Sequence, residues 1–82
     1  MPYDKDEQSY LSRLGARIRK LRKAKQLSQE ALAFEAGLDR TYVSSVERGE
    51  RNIAVLNLAK LAGALGVGVA ELLEEEGEGL AD

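Results

Sequence analysis

A single glycine, Gly37, separates two short stretches whose apolar residues recur at helical spacing, and this arrangement restricts the chain more than any other feature. Before it, Leu32, Ala33 and Ala36 share one face of a helix predicted over Gln29 to Ala36, which Ser28 opens as an N-cap and Glu30 supports in the first turn. After it, Leu38 packs inward, Asp39 caps, and a helix is predicted from Arg40 to about Arg48, stopped by Gly49. Glycine takes a positive φ without steric cost, which a sharp turn between two helices requires. The second helix carries only Val43 and Val46 as aliphatic residues. So narrow a stripe buries one edge, and most of the helix must face something else.

The remainder of the chain also reads as helical. Leu11, Leu14, Ile18 and Leu21 recur along one face and predict a helix from about Ser12 to Lys25, preceded by an extension of residues 1–11. Val55, Leu58, Ala59, Ala62 and Leu65 describe the buried face of a fourth helix ending at Gly66, and a fifth follows from Val69 to about Glu75. Residues 76–82 are mostly acids and glycines, which bury too little surface to order a chain, so they read as a flexible acidic tail. Nothing alternates with strand period. The expected fold is all-α, a compact five-helix domain over residues 12–75. A chain of 82 residues is small enough that only about 60% of its unfolded surface is buried on folding, which makes oligomerisation the expected supplement.

Composition removes several functions. The chain has no cysteine and no histidine, so thiolate and imidazole metal sites are excluded and the usual general base is missing. No glycine-rich phosphate loop is present, and no cofactor is expected. No stretch approaches the roughly 20 apolar residues of a membrane span, and the first residues lack the layout of a signal peptide, which predicts a soluble cytoplasmic protein without membrane attachment. The net charge of −2 conceals a segregation: residues 13–51 sum to +5, whereas residues 1–12 sum to −2 and residues 69–82 to −6. A local cationic face is compatible with phosphate binding, because counterion release depends on the cations that meet phosphates. Solvated helix surfaces would show the same charges.

Two helices joined by a tight glycine turn, with Ala33 where they approach and Val43 anchoring the second, have the geometry that holds one helix out into a major groove. Leu27-Ser28-Gln29-Glu30-Ala31-Leu32-Ala33, Gly37-Leu38-Asp39-Arg40-Thr41-Tyr42-Val43-Ser44, Glu47-Arg48-Gly49 and Asn52 resemble the phage-repressor and Cro (XRE) helix-turn-helix family of transcription factors. Within it, the run from Leu38 to Ile53 most resembles the controller proteins of restriction-modification systems. The resemblance covers about residues 13–73. It implies a phage-repressor-like domain, a symmetric homodimer, double-stranded DNA as partner, a near-palindromic operator, and action as repressor or activator. With no room for a sensing domain, no small-molecule effector is indicated. A protein-interaction module on the same fold, such as an antitoxin, is the rival reading.

On this resemblance Arg40 and Thr41 stand at the exposed start of the recognition helix, Arg40 able to bond guanine O6 and N7 and the Thr41 methyl able to meet thymine. Ser44 and Ser45, one turn on, are further base-reading candidates. Gln29 would meet a phosphate at the positive end of its helix. Tyr42 would hold a phosphate or pack on the preceding helix. Arg48, Arg51 and Asn52 would flank the backbone, Arg51 able to enter a narrow minor groove, and Arg17 and Lys20 are additional phosphate candidates. Arg22 and Glu47 resemble family positions that form a structural ion pair. Leu56 falls off the buried face of its helix and, with Leu72 or Leu73, suggests an apolar dimer interface.

Overall fold

The structure, a computed structural model, describes residues 3–74. Five helices follow in order: α1 (Lys5–Ala24), α2 (Gln29–Ala36), α3 (Arg40–Glu47), α4 (Val55–Leu65) and α5 (Val69–Leu73), and the described residues hold no strand. The acidic tail assigned to residues 76–82, and Glu75 at the expected end of the fifth helix, lie outside the described residues. No helix among the described residues is long and apolar enough to cross a membrane.

α1 begins two turns earlier than its apolar spacing predicts. Asp4 accepts a hydrogen bond from the Glu7 amide (2.8 Å) and Glu7 accepts one from the Asp4 amide (3.1 Å), a reciprocal capping box that starts the helix inside the expected extension. The chain then turns sharply at Gly37, whose φ of +71° lets the Leu38 amide reach back to the Ala33 carbonyl at 2.8 Å. Asp39 occupies the N-cap position of α3 by its backbone, but its side chain makes no capping hydrogen bond, contrary to the sequence reading.

The core lies where the five helices converge. Ile18, Leu32, Val43, Val46, Leu61 and Leu72 are fully buried, ringed by Leu14, Ala33, Ala36, Leu58, Ala62 and Leu65. The face expected for α4 requires correction. Leu58, Leu61, Ala62 and Leu65 form it at the i, i+3, i+4, i+7 spacing, whereas Ala59 is exposed and Val55, in the first turn, is 77% exposed.

α1 and α3 approach more closely than side chains usually permit. A Cβ placed on Gly15 would lie 2.4 Å from the Val46 carbonyl oxygen and 2.6 Å from that of Glu47. The absent side chain of Gly15 therefore sets the distance at which α1 supports the end of α3. Gly63 lies inside α4 with nothing within 4 Å of its own hypothetical Cβ. Gly15→Ala should destabilise the fold by about 1–3 kcal/mol through overpacking. Gly63→Ala should stabilise it by about 0.5–1 kcal/mol through helix propensity. Urea unfolding of both variants checks the pair of signs.

Candidate nucleic-acid interface

Of the sequence-derived site residues, Gln29, Arg40, Thr41, Tyr42, Ser44, Ser45, Glu47, Arg48, Arg51 and Asn52 lie on α2, α3 and the loop after α3, whereas Arg17, Lys20 and Arg22 lie on α1 and Leu56, Leu72 and Leu73 on α4 and α5. A buried ion pair ties α1 to the end of α3. The Arg22 guanidinium of α1 grips Glu47, the last residue of α3, with two hydrogen bonds: Nε to Oε2 at 2.7 Å and Nη2 to Oε1 at 3.0 Å. The remaining Arg22 nitrogen, Nη1, donates to the Leu27 carbonyl at 2.8 Å, and Gln29 Nε2 donates to Glu47 Oε1 at 3.0 Å. The two charged side chains are only 9% and 3% exposed. The hydrogen bond to Glu47 raises the Arg22 pKa above its usual value against the opposing effect of burial. One carboxylate thus ties the end of α3 to α1 and to the first residue of α2.

This network redefines Gln29. Its side-chain amide is engaged with Glu47, so a phosphate at this corner would meet the first-turn backbone amides of α2 rather than an unoccupied Gln29 side chain. Ser28 caps the same helix end by accepting from the Ala31 amide at 3.0 Å.

Along α3, Arg40 and Thr41 are exposed at the start of the helix. Arg40 lies 4.0 Å from Glu30, with the two side chains 51% and 80% exposed, a long surface pair of little energetic weight that leaves the guanidinium able to turn to another anion. Ser44 is half-buried, and its hydroxyl accepts from Arg48 Nη1. Ser45 is buried, and its base-reading assignment is corrected: its hydroxyl donates to the Tyr42 carbonyl at 2.8 Å and accepts from Arg51 Nε at 3.0 Å. Arg51 is held from two sides, since its guanidinium also lies 5.5 Å from the centre of the Tyr42 ring. Tyr42 itself packs against the core. Arg48 pairs with Glu50 (3.0 Å), which raises the Arg48 pKa and lowers that of Glu50 through the hydrogen bond between them. Asn52 is exposed.

Two further assignments are overturned. Arg17 is not a surface phosphate contact, because its Nε donates to the Leu72 carbonyl at 2.8 Å and its Nη2 is buried, joining α1 to the end of α5. Leu72 is fully buried in the core and offers no surface to a second subunit. Leu73 is half-buried on the wall of an open groove with Tyr10, Leu11 and Ile53. Leu56 is 74% exposed beside Val55, and Phe34 is 87% exposed on α2. Lys20 is exposed on α1. The exposure of Phe34 escaped sequence reading, as it directly follows the apolar run Ala31-Leu32-Ala33. Among the described residues, no cluster of acids could hold a metal ion.

The family model described as helix-turn-helix matches residues 18–72, which span α2, the Gly37 turn and α3 together with their supports. The chain belongs to this family. Among curated relatives, the control protein C.MunI of a Mycoplasma species is 47% identical over 64 residues, covering 77% of this chain and 86% of the relative. The crystal structure of the restriction-modification controller protein C.AhdI from Aeromonas hydrophila is 55% identical, with a TM-score of 0.77 over 78% of this chain and 97% of that one. The biofilm regulator SinR, solved in complex with DNA, is 39% identical with a TM-score of 0.72, covering 74% and 98% of the two chains. In this helix-turn-helix protein α2 and α3 flank the Gly37 turn, and Arg22 and Gln29 hold Glu47, the last residue of α3.

Glu47→Ala should cost about 3–5 kcal/mol, because it strands the Arg22 guanidinium away from water. The double replacement Arg22→Met with Glu47→Leu should cost less than Glu47→Ala alone, as no buried charge is then left unpaired. Chemical denaturation of the three proteins checks the order.

Proposed function

We propose that this protein is a sequence-specific transcriptional regulator of the restriction-modification controller type, binding a near-palindromic operator in double-stranded DNA as a homodimer. The observation that carries the reading is the presentation of α3: its last residue is locked by Arg22 and Gln29, while Arg40 and Thr41 at its start are exposed. A helix held at its base and open at its N-terminus is suited to lie in a major groove. The likeness to controller proteins supports the same reading.

In this reading Arg40 bonds a guanine edge, and Thr41 and the outer edge of Ser44 meet neighbouring bases or phosphates. The first turn of α2, Arg48, Asn52 and Lys20 meet the backbone. Arg51, aligned by Tyr42 and Ser45, reaches the minor groove as a preformed cation. The role is one of binding rather than catalysis. Val55 and Leu56, exposed at the start of α4, supply the apolar centre of the dimer, and Leu73, half-buried on the groove wall, is a further contact. Two recognition helices then enter successive major grooves about 34 Å apart.

Selection of binding sites from random duplex DNA tests the function, and an absence of any enriched sequence would contradict it. With the selected duplex, Arg40→Ala should weaken binding by about 1–3 kcal/mol and relax preference at one base pair in each half-site. Affinity should fall steeply with salt, the logarithmic slope approaching about −0.9 for each phosphate met. Leu56→Glu should shift the protein to monomer in sedimentation velocity, and an unchanged dimer would remove Leu56 from the interface.

A further inference from the structure

The first two turns of α1 reach the loop that follows the recognition helix. Gln8 Nε2 donates to the Gly49 carbonyl at 2.8 Å, a contact spanning 41 residues of sequence, and also lies 3.2 Å from Ser12 Oγ. Gly49 is buried and has a φ of +77°. A Cβ on it would lie 2.7 Å from the Cα of Ser12, so the turn is pressed directly against the α1 backbone. Gly49 and Glu50 also close α3, their amides returning to the Val46 and Ser45 carbonyls at 3.0 Å each. The residues on either side of this turn are Arg48, Arg51 and Asn52.

We propose that Gln8 is a positioning residue for DNA recognition, a latch that fixes the turn at Gly49 and thereby the direction in which Arg48, Arg51 and Asn52 leave α3. The proposal rests on the reading above that this loop meets DNA. Gln8 itself touches no DNA. Its amide donates the hydrogen bond that the partly buried Gly49 carbonyl accepts, and the Asp4–Glu7 capping box keeps its helical turn formed. The acidic start of the chain, −2 over residues 1–12, thus serves the cationic face through geometry rather than charge.

The test uses the full chain and the duplex selected by the wild-type protein. Gln8→Ala removes the donor, and Ala16→Gly, at an exposed site on the same helix, controls for loss of α1 stability. Gln8→Ala should speed amide hydrogen exchange at Gly49, Glu50 and Arg51 by about 3- to 10-fold and weaken duplex binding by a similar factor, with exchange at Leu32 and Leu61 changing no more than in Ala16→Gly. Unchanged exchange at the turn, or a binding loss no greater than that of Ala16→Gly, would overturn the proposal. Replacing Arg48, Arg51 and Asn52 together by Ala separates the two levels: if that leaves binding unchanged, the loop does not meet DNA and both readings of it fail. If it weakens binding while Gln8→Ala does not, only the latch fails.

Discussion

One buried carboxylate organises this molecule. Glu47 accepts two hydrogen bonds from Arg22 and one from Gln29, and these partners arrive from α1 and α2 at the end of α3. Desolvating both charges is costly, and the cost is offset only when the hydrogen bonds are complete. Completeness demands that α3 end at one place, at one distance from α1. Gly15 makes the same demand by contact, since any side chain there would strike the last carbonyls of α3. A polar constraint and a steric one thus converge on a helix whose only buried aliphatic residues are Val43 and Val46.

The consequence for function is a division of α3 into a fixed base and an open start. Arg40 and Thr41 have no heavy structural duty, and the exposed Glu30–Arg40 pair is too weak to compete with a nucleic-acid phosphate or a guanine edge. Arg51 is different, because Ser45 and Tyr42 already hold it. Its side-chain ordering is largely complete before any ligand arrives, which lowers the entropic cost of a contact at that position.

The helices were legible in the sequence wherever apolar spacing and caps agreed. Ser28, Gly37 and Gly66 mark the ends of α2 and α4 because cap and turn residues act locally. The early start of α1 was legible too, in the spacing of Asp4 and Glu7, but that signal is polar and apolar periodicity alone passes over it. The phase of α4 was misjudged at Val55 and Ala59, since a nearly all-apolar helix does not declare which side faces in. Polar residues were hardest. Ser45, Gln29 and Arg17 all suit a DNA-facing surface by type, yet each is engaged within the protein: Gln29 and Arg17 bond partners 18 and 55 positions away, which no local pattern encodes, and Ser45 bonds the carbonyl three residues back, as a helical serine can. Arg22 and Glu47 were found through family resemblance, not from spacing.

In the proposed function, α3 and the turn after it form the surface that meets DNA. Amide chemical-shift mapping of the full chain titrated with its selected duplex tests it most directly. The large shifts should fall at the start of α2, at residues 39–44 and at residues 48–52, with the interior of α4 nearly unmoved. Shifts concentrated on α4 and α5, with residues 39–44 unchanged, would contradict it.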